Sequence, residues 1–384
     1  MTLKLLQGVF ILLYMVSNLY QLFAIVCSVL FYIRRKNSQI KPPYLPKVAC
    51  LKPLCGYDAE LQKNISSFLT QDYPRYEVVF GTAEADDVAY EIAKNATKGI
   101  QNVKVVSGHA GNGVNRKVSN LQNIYTHISK DIEVIVLSDS DTWVDNNYLK
   151  QMIAPFEDSQ TGAVTAIYRI DGVADAGGFV EALLVEHTFV PSVLVAERIG
   201  GLKYAFGASI ALKVADFDKI GGFDSVKDYL ADDYMIGNLI YKYGKKVRLC
   251  PYVVSISASR QSLKQVFSRL IRWSKTIRVS EPVGYFFSAV CYSSVWGVCT
   301  YIVFLPKTYT FTLLAIAIVI RICSAICTSV AIGSRGGLLR AFTAPVWDLL
   351  ALFIWFLGFT GNTVIWRGIR YRILKNGKMA TEAK

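Results

Sequence analysis

The chain has 384 residues, is 52% hydrophobic and carries a formal net charge of +13, with a mean hydropathy of +0.32. It is longer and more apolar than a single soluble domain, so a membrane part is the first expectation. The positive charge sits largely in residues 34–52, 260–278 and the tail RGIRYRILKNGK, each beside an apolar block. That placement favours lipid headgroups and a nucleotide over DNA or RNA, and no nucleic-acid partner is expected.

In chain order, GVFILLYMVSNLYQLFAIVCSVLFYI (8–33) is uncharged and long enough to cross a hydrocarbon core of ~30 Å. The IRRK at its end holds that end on the cytoplasmic side. A cleaved signal peptide is the competing reading, but the apolar run is too long for one and no small-residue cleavage site follows. Residues 1–33 therefore read as a transmembrane helix and 34–45 as a basic linker.

From 46 to 258 short apolar runs alternate with helical stretches: VACLKPL, DAELQKNISSFLTQ, YEVVFG, DDVAYEIAKNATK, VKVVSG, NRKVSNLQNIYTHI, EVIVLSDSD, NNYLKQMIAPF and GAVTAIYR. This alternation predicts an α/β domain with a mostly parallel sheet and helices on both faces. Ligands collect at the carboxyl ends of the strands in such sheets. Those ends carry Lys52 and Pro53, Asp86 and Asp87, Asn115 to Asn120, and Asp139 and Asp141.

The stretch VIVLSDSDTWV (134–144) ends a buried strand in two carboxylates one residue apart. A solvated turn is the plain reading of a lone Asp-x-Asp. The sharper one is a hard cation, Mg²⁺ or Mn²⁺, held by paired oxygens and holding a diphosphate in turn. Downstream, in KDYLADDYMIGNLIYKYG, Asp232 and Asp233 open an apolar-periodic helix, where acids also complement the helix dipole. Further on, SLKQVFSRLIRWSKTIR (262–278) sets Arg269, Arg272 and Trp273 in an R-x-x-R-W pattern on an amphipathic helix, a type that also lies on membrane surfaces. Residues 259–283 read as this interfacial element.

Three more apolar blocks follow, at 284–305, 309–333 and 343–366, before the basic tail 367–384. If all span, the tail falls on the side opposite to residues 34–283, against the positive-inside tendency. Asp348 and the GFTGN break favour a re-entrant pair of short helices for the last block. The eight cysteines and three histidines show no metal-ligand spacing, so a structural zinc site is not expected.

Taken in order, LKPLCGYDAELQKNISSFLTQDYPRYEVVFG, GVNRKVSNL, LSDSD, FGASIALK, IGGF, LADDYMIG and SRLIRW resemble the membrane-integrated glycosyltransferases of the family-2 and family-21 type. Within them the resemblance is to the ceramide glucosyltransferase group and its bacterial relatives of hopanoid biosynthesis, and it covers about residues 46–280 with the flanking helices. It implies a GT-A-type, Rossmann-like nucleotide-sugar domain. By residue, it implies that Asp87 contacts the nucleobase region, that Asp139 and Asp141 bind metal and phosphate, that Asp233 is the general base with Asp232 beside it, and that Arg269, Arg272 and Trp273 close over the diphosphate. Lys52, Pro53 and Lys117 join the nucleotide site. Gly207, Ala208 and Ser209 belong to the sugar pocket.

The activity so implied is inverting, metal-dependent transfer from a UDP-sugar to a membrane-lipid hydroxyl, with UDP-glucose and ceramide giving a β-glycosylceramide. A metal-bound diphosphate already leaves well, so one base suffices. The implied protein is integral to the membrane with its catalytic domain facing the cytoplasm. One departure bears on the acceptor: animal ceramide glucosyltransferases carry His-Pro where this chain has Val190-Pro191, with Glu186 and His187 one turn earlier as candidate acceptor contacts. The form FVPSVLVA is nearer the hopanoid branch, which makes UDP-N-acetylglucosamine and a hopanoid-like lipid the alternative. Arg321 and Asp348 are charges inside apolar blocks that line an acceptor entry or pair structurally. A processive polysaccharide synthase shares the motifs but usually has more spanning helices, and a non-catalytic scaffold would be expected to have lost acids that are all present here.

Overall fold

The structure, a computed structural model, describes residues 2–38, 44–258, 261–304 and 308–382. It divides into two compact units. One, bearing the sheet, comprises Asn37–Gly172, Gly200–Ser259 and Gly377–Lys384; the other, helical, comprises Met1–Lys36, Val173–Ile199 and Arg260–Asn376. The expected linker 34–45 and the boundary at 259 fall partly outside the described residues.

In the sheet-bearing unit, strands β1 (Val48–Pro53), β2 (Tyr76–Thr82), β3 (Val103–Ser107), β4 (Val134–Leu137), β5 (Thr142–Trp143), β6 (Thr161–Asp171), β7 (Ile210–Lys213) and β8 (Lys246–Ser257) form one sheet in the order β3-β2-β1-β4-β7-β6-β8-β5. The β1–β2, β2–β3, β1–β4 and β6–β8 pairs are parallel. β7 runs antiparallel to both β4 and β6, and β5 antiparallel to β8. The sheet is mostly parallel, as expected, with β7 as a reversed strand that the alternation of runs and helices does not announce.

All four residues of β4 and five of the six in β1 are buried, because helices cover the sheet and the strands are continuous apolar runs rather than alternating ones. Val48, Phe68, Phe80, Val136, Tyr148 and Val254 belong to one core cluster. Parallel β1, β2 and β4 gather Pro53, Thr82 and Leu137 at one edge. Reversed β7 begins beside that edge, since Ile210 pairs with Leu137, so Gly207, Ala208 and Ser209 arrive next to the Asp-Ser-Asp turn.

The helix Asp232–Lys242 lies close against the segment leading into β7. A Cβ at Gly237 would stand 2.3 Å from the Ala205 nitrogen and 2.5 Å from the Tyr204 carbonyl carbon, while Tyr204 and Tyr234 stack with centroids 5.5 Å apart.

In the helical unit, Lys4–Asn37, Ala176–Gly200, Thr308–Ile332 and Gly337–Gly358 are helices long and apolar enough to cross a membrane. The second was not anticipated, because the sequence keeps it inside the catalytic domain; here it clusters with the apolar helices. The helix of the last block ends at the expected GFTGN break, where a strand rather than a second short helix follows it, and a further bend lies earlier, where Pro282–Cys291 and Ser293–Val303 meet at 61°. Tyr292, at φ −87° and ψ 76°, leaves the helical region there. The last apolar helix runs unbroken from Ala344 to Gly358.

The amphipathic helix Leu263–Ser280 forms as predicted, opened by a capping box in which Ser262 and Gln265 satisfy each other's backbone nitrogens. After the last apolar helix, β9 (Thr363–Trp366) and β10 (Ile369–Ile373) pair as a hairpin. Its two turn residues, Arg367 and Gly368, both have positive φ (50° and 78°), the signature of a type I′ turn.

Overpacking of the Gly237 contact gives a test. Gly237→Ala is expected to cost about 2 kcal/mol, since the added methyl meets backbone that cannot swing aside. A thermal melt with an unchanged midpoint would contradict the packing described.

Candidate active site

The site begins with the turn after β4. The Ser138 nitrogen donates to the Leu51 carbonyl at 3.2 Å, which continues the pairing with β1 for one residue. The Ser138 and Thr142 hydroxyls both donate to the Ala208 carbonyl, at 3.1 and 3.3 Å, and so join the Asp-Ser-Asp turn to the entry of β7. Inside the turn sits the ammonium of Lys52, which is fully buried. It donates to the carbonyls of Asp139 (2.5 Å) and Thr142 (3.1 Å) and stands 4.2 Å from the centre of the Phe68 ring.

The acid pair enters from the first turn of the helix Asp232–Lys242. Asp233 Oδ2 accepts from the Gly207 nitrogen at 2.7 Å and Oδ1 from the Tyr234 nitrogen at 2.8 Å, so its carboxylate is fixed across the entry of β7. Lys117 bridges the two acidic segments: its ammonium lies 2.6 Å from Asp139 Oδ1 and 3.7 Å from Asp232 Oδ2. Pro53, Lys117, Ser138, Asp139, Gly207, Asp232 and Asp233 line one pocket with Leu121, Leu137 and Ile210. Glycine at position 207 leaves open the space between the carboxylates, since a Cβ there would stand 3.0 Å from Asp233 Oδ2 and 3.3 Å from Asp139 Oδ2.

Electrostatics follow from burial. Burial first, and then the neighbouring Asp232 charge, raises the Asp233 carboxyl to about 6. Burial also raises Asp232, against the pull of Lys117. For Lys117 burial disfavours the charge, but the carboxylates of Asp139, Asp232 and Asp233 outweigh it and hold the ammonium well above the ordinary lysine range. Lys52 goes the other way: burial lowers it to about 7, and the Asp141 and Asp139 charges only partly restore it. A carboxyl tuned toward neutrality beside a cleft is the property a general base needs.

The other expected residues fall as follows. The Asp87 carboxylate accepts from the Gly56 nitrogen at 2.9 and 3.0 Å and caps the helix Val88–Ala96, tying the loops after β1 and β2 together. Asp141 shares the turn; its carbonyl accepts from the Ser257 nitrogen at 3.2 Å. Ser209 differs from expectation: it is fully buried and its hydroxyl pairs with Tyr148 at 2.6 Å, so it serves the core, while Ala208 acts through its carbonyl.

Glu186, His187, Arg269, Arg272 and Trp273 belong to the helical unit. There, buried Glu186 pairs with Arg340 at 2.6 Å and His187 Nε2 lies 3.2 Å from the Arg340 carbonyl. Both sit in a π-helical turn, Val185–Phe189. Arg269 pairs with Glu181 at 2.7 Å and lies 5.5 Å from the Trp273 ring, and Arg272 lies 5.7 Å from the Trp366 ring.

Asn115 has a larger part than its place at a strand end announces. Its side-chain oxygen caps the helix Arg116–Tyr125 by accepting from Lys117 and Val118, and its amide donates to the Tyr229 carbonyl at 2.8 Å and to Asp232 Oδ1 at 3.4 Å. The signal was available: an Asn immediately before a periodic helical run is an N-cap signature.

Among the described residues, no three or more His, Cys, Asp or Glu side chains are grouped to hold a metal ion. The donors present still suit one. Mg²⁺ and Mn²⁺ take hard oxygens, and Mg²⁺ commonly binds one or two carboxylates and completes its shell with water and substrate phosphates. Asp139 and Asp141 offer that set, and the gap that glycine leaves at position 207 borders Asp139.

The sequence model of glycosyl transferase family 21 matches residues 9–379. The chain belongs to this family. Ceramide glucosyltransferase 1 of Caenorhabditis elegans is 24% identical over 256 residues, 65% of this chain and 54% of the relative. Ceramide glucosyltransferase 3 of the same organism is 28% identical over 236 residues, 60% and 50%. The matched region thus spans about half the length of these relatives. Among solved structures, a mannosyltransferase from Pyrobaculum calidifontis, in complex with GDP-Man and Mn²⁺, superposes with a TM-score of 0.52 at 16% identity, covering 91% of this chain and 98% of that one. At that identity the likeness concerns the fold, which is the GT-A type expected from the sequence.

Lys117 is the counter-ion of this acid cluster. Lys117→Met is expected to cost about 2 kcal/mol at pH 8, less than a fully buried pair because Asp139 is about a third exposed. Without the ammonium the Asp232 and Asp233 carboxyls rise further above their unfolded values, so the folded state binds more protons than the unfolded one and stability recovers as pH falls through the raised values. Urea titrations at pH 8 and pH 5 check this; an equal loss at both would contradict it.

Proposed function

We propose that this protein catalyses inverting, divalent-metal-dependent transfer of a sugar from a UDP-sugar to the hydroxyl of a membrane lipid, with ceramide and UDP-glucose as the first pair to examine. The observation that carries the reading is the Asp233 carboxylate, held by the Gly207 nitrogen at 2.7 Å in a pocket it shares with Asp139. Family membership and the ceramide glucosyltransferase relatives support it, as do, among the described residues, four helices long and apolar enough to cross a bilayer.

In the proposed step, Asp233 takes the proton of the acceptor hydroxyl as that oxygen bonds to the anomeric carbon. The bond from that carbon to the diphosphate oxygen breaks, its electron pair leaves with UDP, and the single displacement inverts the centre. Asp139 and Asp141 would hold Mg²⁺ or Mn²⁺, which when bound supplies positive charge to the leaving diphosphate. Lys117 adds a cation at the same edge, and burial together with the Asp232 charge keeps the Asp233 carboxyl high. Asp87 toward the nucleobase, and Arg269, Arg272 and Trp273 toward the diphosphate, remain part of the proposal on the strength of their motifs. Arg34, Arg35 and Lys36 close the first apolar helix and favour a cytoplasmic sheet-bearing unit.

A hopanoid-like acceptor with UDP-N-acetylglucosamine is the second reading. What favours it is Val190, fully buried and apolar where animal ceramide glucosyltransferases carry His. Incubating the purified protein with several UDP-sugars, Mg²⁺ or Mn²⁺ and a total lipid extract, then weighing the glycosylated lipid by mass spectrometry, separates the two. UDP release without a lipid product, or a growing polymer, would overturn both.

Asp233→Asn is expected to bind UDP as the parent does and to lose about a thousandfold in turnover, the scale of a lost general base. Turnover near the parent rate would sink the base assignment. The parent's rate is expected to fall below an apparent pKa of about 6 as Asp233 takes up its proton. Asp232→Asn, which removes the like charge, is expected to move that acid limb to lower pH; a limb that stays in place would contradict the coupling.

A further inference from the structure

Lys52 is a charged side chain without access to solvent, and every contact it makes is internal. Its ammonium has three protons, and three receivers are placed around it: the Asp139 carbonyl at 2.5 Å, the Thr142 carbonyl at 3.1 Å and the face of Phe68 at 4.2 Å. The two carbonyls are the first and last of the four-residue turn Asp139-Ser140-Asp141-Thr142, in which the Thr142 nitrogen also donates to the Asp139 carbonyl at 3.3 Å. The pocket lining includes Pro53 but not Lys52.

We infer that Lys52 is a positioning residue, a hub that fixes the path of the Asp-Ser-Asp turn from beneath and so sets how Asp139 and Asp141 present their carboxylates to a divalent cation. This rests on the reading that those two residues hold the cation, and it replaces direct nucleotide contact as the role of Lys52. Two effects of the buried ammonium on metal binding oppose each other. As a charge it disfavours a second cation nearby. As a hub it keeps two carboxylates from spreading apart, and it donates to the Thr142 carbonyl and, beside the Thr142 nitrogen, to the Asp139 carbonyl. Removing it therefore gives a change whose sign distinguishes hub from charge.

The experiment compares the full-length parent with Lys52→Met, which keeps the length of the side chain and loses the charge and the donors. Three quantities are measured: Mn²⁺ affinity with UDP present, UDP affinity in EDTA, and the thermal midpoint. The parent is expected to bind Mn²⁺ with UDP; if it does not, the cation reading itself has failed. Given parental binding, Lys52→Met is expected to weaken Mn²⁺ at least about tenfold, with UDP affinity in EDTA unchanged. Tighter or unaltered Mn²⁺ binding overturns the hub. Loss of UDP affinity in EDTA by a folded variant overturns it in favour of direct contact. If Lys52→Met does not fold, Lys52→Gln, which retains an amide donor, decides: Mn²⁺ affinity between parent and background supports the hub, and parental affinity overturns it.

Discussion

Gathering carboxylates at one buried sheet edge is unfavourable, and the rest of this site is arranged around that fact. Asp139, Asp232 and Asp233 line one pocket, with Asp141 two residues beyond Asp139 in the same turn, because two strand systems meet there: parallel β1 and β4 end at the edge and reversed β7 begins at it. Burial, and then like charges at short range, raise the pKa of a carboxyl, and both push Asp233 up to about 6. Two ammoniums offset part of the repulsion, one from below and one from the side. With Lys52 and Lys117 against four carboxylates, a formal excess of two negative charges remains. One divalent cation matches it, and the gap kept open by Gly207 lies beside Asp139 and Asp233.

The two lysines differ in kind. Lys117 is reached from the pocket and pairs side chain to side chain. Lys52 bonds only backbone and an aromatic face, so its influence passes through the shape of the turn. Asn115 joins these parts by capping the helix that carries Lys117 while touching Asp232.

How much of this was legible in the sequence varies with the range of the interactions involved. The acids were legible because strand ends and helix starts are local features, and LSDSD and LADDYMIG carry them. The burial of Lys52 was not, since a lysine before a proline gives no local sign of it. What decides it is a ring at position 68 and carbonyls at 139 and 142, brought together only by sheet order. Ser209 was misjudged for the same reason: its partner Tyr148 lies on another element of the core. The helix Ala176–Gly200 escaped because Glu181, Glu186, His187 and Glu197 interrupt its apolar run. In the folded helical unit Arg269, Arg340 and Arg34 neutralise the three glutamates, and no window of sequence contains both members of those pairs.

Arg321 and Asp348 extend the same logic into the apolar helices. They meet at 2.8 Å and are essentially inaccessible, and the Arg321 guanidinium also donates to the His187 carbonyl in the π-helical turn. Placed singly in such segments either charge would be costly; placed together they join three helices of the unit.

The central claim, that the acid edge takes up a divalent cation together with a nucleotide diphosphate, is tested most directly by electron paramagnetic resonance of Mn²⁺ with the purified protein. The account predicts one Mn²⁺ bound per chain in the presence of UDP, with coupling to phosphorus, and loss of that signal in Asp141→Ala. Mn²⁺ that binds without phosphorus coupling, or that binds undiminished in Asp141→Ala, would contradict it.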